Sequence, residues 1–557
     1  MQMDYQHLAE LLFPHVKETP EDIEKKYPKR NLPEGAKVTR FAPSPTGFVH
    51  FGGLFPTRVG ERLAHQSGGV FYLRIEDTDA KREVAGAKDG LIRTLSHYGI
   101  EFDEGAVIGG DKGDYGPYMQ SKRADIYHVF AKQLVSEGKA YPCFTTEEEL
   151  KELEKVDKKA EIKTKDWHET EDYREIQQTW RNFTMEEVEA HLQAGHPFVL
   201  RMLAEGDPDK KFKITDLIKG DLELPENDKD EVLLKSDGIP TYHFAHAVDD
   251  HLMGTTHVIR GEEWLPSLPR HIMLFHYLGF KAPKYMHIAQ LMNIDENGAK
   301  KKLSKRDKGT NLDDYERQGY APEAVNEYIM TLLNSNYEEW HTANPDKSFE
   351  EFPFNIKKMS TSGCLLDFGK LTDVSKNVLS RFSVDKIYTD TVDWAVKYDP
   401  DFAACLSADP DYTKRIFAIG RGGKKPRKDL ALFSDVKGYA GFFFDPYFAV
   451  VDPIDEKFSR ADVVKTLDAF LASYSYADDM NTWFDKIKTI ATELGYATDM
   501  KAYKANPTAF PGSVADISGF IRVAVTGKQN SPDLYTVMQI LGETKVRERI
   551  AKMKETL

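Results

Sequence analysis

The sequence predicts an α/β fold: a parallel nucleotide-binding sheet, interrupted by an insertion and followed by a helical C-terminal region. Three observations predict it. Residues 37–120 alternate strand-like and helix-like segments, as the first half of a parallel sheet does. Within them Val38–Ala42 alternates as a short strand, yields to a loop rich in proline and glycine, and continues into an apolar-periodic helix over Leu54–Ala64. Beyond about residue 375 the pattern is helical almost to Leu557, with aromatic punctuation such as Phe442-Phe443-Phe444.

The elements follow in order. Residues 1–36 are charged, carry Pro20, Pro28 and Pro33, and read as an N-terminal extension of helix and linker. Residues 37–120 form the first half of the sheet domain. There Phe71–Asp79 reads as a strand ending in acids, and Asp89–Tyr98 as an amphipathic helix stopped by Gly99. Residues 121–238 form the insertion. It opens with a helix, Lys122–Glu137, ended near Gly138, and continues in a charged run, Glu147–Glu175, that reads as solvated helical surface. Lys235–His243 returns the chain to the sheet, Asp249 and Asp250 follow on the next helix or loop, and residues 239–297 complete the domain. Residues 298–379 hold a cationic loop and the segment after it. Residues 380–557 are the helical region. No repeat or low-complexity tract interrupts this order.

Composition narrows the function classes. The chain has 557 residues, 41% hydrophobic and 30% charged, which suits a globular protein of several domains. No apolar run approaches the ~18 residues a membrane span needs. The first residues lack a signal-peptide pattern. Cys143, Cys364 and Cys405 lie too far apart to suggest a disulfide framework. These features together suggest the cytoplasm. A net charge of −15 does not exclude a nucleic-acid partner, because binding depends on where cations cluster. They cluster at residues 300–308 and at Arg421–Lys428, which holds five cations and no acid.

Two segments carry the chemistry. In the first, Arg40–Gly53, Pro43 and Pro45 stop the strand, Gly47 permits a tight turn, and Gly52-Gly53 lets backbone approach a ligand. Strand, glycine-rich loop and helix in this order aim helix N–H groups and the positive end of the dipole at an anion such as a phosphate, in a Rossmann-like arrangement. His50, at the loop's end, is placed to donate to a phosphate oxygen as charge builds. In the second, Lys300, Lys301, Lys302, Lys305, Arg306 and Lys308 are opposed only by Asp307 and are bracketed by Gly298 and Gly309. A mobile cationic loop can close on a triphosphate, hold the leaving pyrophosphate and reopen.

The pair of segments resembles the two ATP-handling signatures of class I aminoacyl-tRNA synthetases. The first, Ala42-Pro43-Ser44-Pro45-Thr46-Gly47 with His50 and Gly52, is similar to that of the glutamyl-tRNA synthetase family of bacterial type. The second is Lys302-Leu303-Ser304-Lys305-Arg306. One departure is visible. The general signature His-Ile-Gly-His appears here as His50-Phe51-Gly52-Gly53, leaving one fewer histidine for ATP. The resemblance is specific over about residues 37–340 and weaker beyond. Even so, Phe520–Gly527 and Leu541-Gly542 are similar to the end of the bacterial family's helical anticodon-binding region. The glutaminyl relatives share the front half but open with a Pro-Glu-Pro-Asn-like loop and end in β-barrels. This chain has Pro43-Ser44-Pro45-Thr46 and a helical tail.

The resemblance implies a glutamate–tRNA ligase. Such an enzyme converts glutamate and ATP to glutamyl-adenylate and transfers the glutamyl group to the 3′ end of tRNA(Glu). Its partners are then tRNA(Glu), L-glutamate and ATP with Mg²⁺, without a membrane and with a monomer as the starting expectation. The resemblance also makes the insertion a tRNA acceptor-end domain, residues 298–379 the loop and stem-contact region, and residues 380–557 the anticodon-binding region. His50, Lys302, Lys305 and Arg306 are implied as catalytic. ATP contacts are implied at Thr46, Gly47, Gly52, Gly53, Glu263, Trp264, Leu291 and Ser304, and again at His50, Lys302 and Lys305.

Adenylation asks for positioning and charge stabilisation, since the substrate's α-carboxylate is already ionised. A dicarboxylic amino acid suits a pocket of guanidinium groups for carboxylate and a carboxylate for ammonium. The sequence offers Arg40 and Ser44 in the first loop, Glu76 after the second strand, Tyr242, and Arg260 in Val258–Trp264. The resemblance implies the same residues as glutamate contacts, with His246 as a further one. Either arginine suits either carboxylate, and Arg260 could instead brace Glu262 or Glu263. Some family members carry zinc in the insertion around an early Cys-x-Cys. Here Tyr141–Thr146 holds Cys143 alone, and one cysteine without a nearby partner does not build a structural zinc site. No zinc is expected.

Overall fold

The structure, a computed structural model, describes residues 3–45, 47, 49–79, 84–146, 149, 179–294, 298–303, 310–423 and 426–557. Thr46, Ser304, Lys305 and Arg306, and all of the charged run 147–175 except Glu149, lie outside the described residues. The chain divides into two units. One comprises Met1–Asp313 with Ile329–Asp367, the other Asp314–Tyr328 with Phe368–Leu557.

The first unit is built on parallel strands. β1 (Val38–Phe41) pairs in parallel with β2 (Val70–Leu73), which pairs in parallel with β3 (Glu104–Val107). β4 (Gly110–Lys112) folds back antiparallel on β3. The helix Phe51–Gln66 joins β1 to β2, and Ala87–His97 joins β2 to β3. Later in the chain the parallel pair His257–Gly261 and Lys284–Ile288 lies on the other side of β1, where Thr256 donates its N–H to the Val38 carbonyl at 3.0 Å. The chain thus runs outward from β1 first one way and then the other. The carboxyl ends of β1 and of the strand His257–Gly261 therefore flank a switch point, where open α/β sheets bind ligands. The strands are mostly buried yet mix apolar with polar residues, as Val38-Thr39-Arg40-Phe41 and His257-Val258-Ile259-Arg260-Gly261 show.

The insertion supplies an antiparallel three-stranded sheet: Ala140–Cys143, Val199–Met202 and Val232–Leu234. It also supplies a hairpin, Lys211–Asp216 with Gly220–Pro225. The first residues of the chain form two short helices, Tyr5–Leu12 and Pro20–Lys26. Their Leu8, Leu12 and Ile23 are buried in one core with Tyr127, Phe130 and Leu134 of the helix Ala124–Ser136. Arg30 fastens the following segment to β3 through two bonds to Glu104, at 2.7 and 2.8 Å. The extension therefore folds as part of this core.

Two local expectations change. Lys235–His243 does not re-enter a sheet. Tyr242 and His243 open a helix, Tyr242–Leu252, that also carries Asp249 and Asp250, and the sheet resumes at His257. Lys300–Lys302 is not loop but a strand antiparallel to Leu291–Ile294, stitched on by the Leu303 N–H to the Leu291 carbonyl (2.9 Å).

The second unit is helical, and its described helices run from Phe368–Arg381 to Glu543–Thr556. Phe402, Phe433, Leu467, Ile487, Ile521, Val537 and Ile550 share one core with Ala321 and Ala324 of the earlier segment. In the cationic run, Arg421 is spent on the Leu379 and Phe382 carbonyls and Arg427 on Asp429. No helix among the described residues is long and apolar enough to cross a membrane.

Candidate active site

At the switch point of the first unit lies a cleft of about 1640 Å³. That exceeds the few hundred Å³ one small ligand needs. Twelve of the expected residues line it: Arg40, Ser44, His50, Gly52, Gly53, Glu76, Tyr242, Arg260, Glu263, Trp264, Leu291 and Lys302. They come from chain positions far apart. The insertion closes one side with Thr145, Phe198, Arg201 and Lys235. Gly47, at a φ of +121°, is not among the lining residues.

His246, expected as a further substrate contact, is not among the residues that line the cleft. Its ring is fully buried, stacked on Tyr242 with Nδ1 2.7 Å from the Asp250 carboxylate. One helical turn separates residues 242 and 246, which places the histidine one layer behind the tyrosine.

The glycine-rich loop works through His50. Its Nδ1 accepts from the Gly52 N–H at 2.9 Å and caps the helix Phe51–Gln66. A neutral ring accepting there carries its proton on Nε2. A Cβ on Gly52 would stand 2.8 Å from the same Nδ1, so the cap requires glycine. The expectation of bare helix N–H groups is corrected. Phe51 donates to Thr310, Gly52 to His50, and Gly53 and Leu54 to the His50 carbonyl. What the helix end offers an anion is its dipole and the histidine.

Beneath the loop lies a buried network of charges. Arg40 donates through Nε to Asp250 at 3.1 Å. Arg74, fully buried, donates to Asp250 at 2.8 Å and to Glu76 at 3.0 Å. Neighbouring Asp249 accepts from Arg123, Tyr127 and Gln120 at 2.7–2.9 Å. Burial opposes the charge on Asp250, yet Arg40 and Arg74 hold its carboxyl well below the usual range. Burial pushes the Glu76 carboxyl up, and Arg74 and Arg40 pull against it. Glu76 is thus a buried carboxylate positioned from behind and open to the cleft.

Arg260 is held differently. Its Nε donates to His287 Nε2 at 2.9 Å, and its Nη1 lies 3.0 Å from His271 Nδ1. The guanidinium packs 4.9 Å from the Tyr285 ring centre. It does not brace the adjacent acids. Glu262 pairs with Lys219, and Glu263 faces Lys302 at 3.9 Å and Gln290 at 3.4 Å. Burial pulls His271 well below its ordinary range and His243, 2.8 Å from it, down to about 3.

Sequence reasoning gave Asp250 a place but no role and did not single out Arg74, His271 and His287, although all four orient residues that it did. One signal was present for the acids. Asp249-Asp250 follow Phe244–Val248, a run apolar but for His246, and acids on such a helix need buried partners.

Residues 37–365 match the family described as tRNA synthetases class I (E and Q), catalytic domain. Residues 513–554 match the one described as anticodon binding domain. A glutamate–tRNA ligase of Acetivibrio thermocellus is 49% identical over 555 residues, covering 99% of this chain and 100% of its own. Another, from Clostridium perfringens strain 13, is 46% identical over 554 residues, with 98% and 100% covered. A glutamate tRNA ligase from Elizabethkingia meningosepticum, solved in complex with its amino acid, superposes with a TM-score of 0.72. It is 26% identical, with 94% of this chain and 99% of that one covered.

Proposed function

We propose a division of labour within the cleft from one premise: the chain belongs to the class I tRNA synthetases for glutamate and glutamine, and within them to the glutamate–tRNA ligases. It activates glutamate with ATP and transfers it to tRNA(Glu). Arg40 and Arg260 take the substrate's carboxylates, Glu76 takes its ammonium, and Ser44 and Tyr242 shape the space between. The α-carboxylate then attacks the α-phosphate and pyrophosphate leaves. No general base is needed, because the nucleophile is already ionised.

The nucleotide lies along the first loop, with its phosphates beside His50, Thr46, Gly47, Gly52 and Gly53 and its adenosine against Glu263, Trp264 and Leu291. Lys302, Ser304, Lys305 and Arg306 close over the leaving pyrophosphate, where cations act on charge that develops during the reaction. Mg²⁺ accompanies ATP and neutralises its phosphate oxygens. In the second step the 3′-terminal adenosine, entering past Arg201 and Lys235 of the insertion, accepts the glutamyl group. The helical unit reads the tRNA by shape and unpaired bases. The enzyme works in the cytoplasm, as a monomer.

The observation that carries the substrate assignment is the pair of arginines at the carboxyl ends of neighbouring strands, both 6% exposed and both on the cleft wall. The test is tRNA-dependent pyrophosphate exchange with glutamate, glutamine and aspartate. Glutamate should exceed glutamine by about 10⁴-fold, the discrimination reached by sites built on buried polar pairing. Arg260→Gln should lose glutamate activation far more than ATP binding. Comparable exchange with glutamine, or an unchanged Arg260→Gln enzyme, ends the assignment.

The reading assigns no zinc. Its support is Cys143, buried in the strand Ala140–Cys143 opposite Val199, far along the chain from Cys364 and Cys405. Elemental analysis finding about one zinc per chain overturns it.

A further inference from the structure

Arginine has five N–H donors and no acceptor. Any nitrogen that bonds to it must therefore present a lone pair. His287 Nε2 accepts from Arg260 Nε, and the other nitrogen of that ring, Nδ1, lies 2.7 Å from Asp216 Oδ2. This assigns one tautomer: proton on Nδ1, lone pair on Nε2. His271 Nδ1 meets Arg260 Nη1, and its Nε2 meets His243 Nδ1 at 2.8 Å. Again one tautomer fits, with the proton on Nε2 passed toward His243. Both clamping rings, accepting from a guanidinium, are therefore neutral, and burial lowers each below the ordinary histidine range.

Among the described residues no carboxylate lies in ion-pair contact with Arg260, whereas Arg40 has Asp250 at 3.1 Å. The nearest acids in sequence, Glu262 and Glu263, are turned to lysines. Asp216 stands one imidazole ring behind, held by the Ile218 and Lys219 N–H groups at 2.9 and 2.8 Å. It comes from the insertion's hairpin, so the insertion braces the amino-acid pocket from the rear.

We propose that His271 and His287 are positioning residues that set substrate specificity: as neutral acceptors they fix the Arg260 guanidinium without cancelling its charge. The inference rests on the reading that Arg260 receives the substrate's side-chain carboxylate, the group in which glutamate and glutamine differ, and deepens it. A buried cation lacking a counter-charge is costly, and a carboxylate ligand removes that cost. The amide of glutamine does not. Had a carboxylate clamped Arg260, the cation would be satisfied before substrate arrived, and acid and amide would bind more nearly alike.

Paired substitutions separate charge from shape. In His271→Asn the amide oxygen stands near the place of Nδ1 and is neutral. His271→Asp differs from it by the charge. His287→Gln and His287→Glu repeat the comparison at the other nitrogen. Relative to its neutral counterpart, each acidic variant should show a glutamate KM at least about tenfold higher, the size of a hydrogen bond to a charged group. The ratio of glutamate to glutamine exchange should narrow by a similar factor, and the ATP KM should be equal within each pair. Either pair suffices if one acidic variant fails to fold. Equal glutamate KM and equal discrimination within a pair overturn the proposal, as does greater damage in the neutral member. Arg260→Gln keeps the two readings apart. If it retains glutamate activation, the pocket assignment is wrong. If it loses activation while the acidic and neutral variants agree, only the clamp is wrong.

Discussion

At the residue scale, the cleft's chemistry depends on side chains that never touch it. Arg74 is fully buried and bonds to both Asp250 and Glu76, so one guanidinium orients the partner of Arg40 and the acid assigned to the ammonium. The histidines behind the cleft have a consequence for stability. Burial lowers His243 to about 3 and His246 and His257 to about 4. Unfolded histidine titrates near 6.5. These groups are neutral when folded, so below about pH 6.5 the unfolded chain binds protons that the folded one refuses. Their contribution is complete above that value and is lost as pH falls toward 4. Unfolded carboxylates titrate mostly near pH 4, and carboxyls that burial raises, such as Glu76, act in the opposite sense, so a loss of stability from pH 6.5 to 5 reports the histidines. Tm should fall between pH 7 and 5, and less steeply in His257→Gln. A Tm flat over that interval contradicts the account. Arg40, Glu76 and Arg260 were legible in the sequence because a dicarboxylate demands those charges. The tautomers of His271 and His287 were not, since a ring's role depends on what the fold stacks behind it.

At the element scale, the loop after β1 shows why a start signal can be read late. Apolar periodicity places the helix from Leu54. The structure begins it at Phe51, because the His50 ring supplies a cap that periodicity does not register. Likewise Lys300–Lys302 looks like solvated loop by charge. It pairs as a strand because Leu303, 5% exposed, anchors the hairpin. Local charge patterns cannot report such a distant anchor. The C-terminal helices give a sharper test. Gly527 ends the helix Val514–Thr526 at a φ of +74°, and its carbonyl accepts from the Val451 and Asp452 N–H groups. An added Cβ would fall 1.9 Å from the Ala449 carbonyl oxygen. Strain at positive φ costs about 1–3 kcal/mol, and the backbone clash adds to it. Gly527→Ala should therefore lower Tm by several degrees, while Gly495→Ala, with the same sign of φ (+76°) and open space, should lose less. Equal losses would show that conformation alone, without the contact at Ala449, sets the cost.

At the scale of the whole molecule, the units are not consecutive stretches of chain. The helical region was legible as beginning near residue 380, where strand patterns end. In the structure its unit starts at Phe368 and also claims Asp314–Tyr328. That segment reads as an ordinary amphipathic stretch, and no local signal says which core takes its apolar side. Trp394 Nε1 donates to the Glu316 carbonyl at 3.1 Å, the Phe433 N–H to that of Gly319 at 2.8 Å, and Ser434 Oγ to that of Gln318 at 2.6 Å. Ala321, Ala324 and Val325 are completely buried. A chain cut after Asp367 keeps every cleft-lining residue, yet strips this segment of its partners. It should bind ATP close to normally and lose selective charging of tRNA(Glu). It should also bind a hydrophobic dye strongly and aggregate, because newly exposed apolar surface seeks another partner. Co-expression of residues 368–557 should restore solubility if the segment folds with that unit. A truncated chain that stays soluble without dye binding would place the segment elsewhere. One that still separates cognate from non-cognate tRNA would remove the helical unit from recognition.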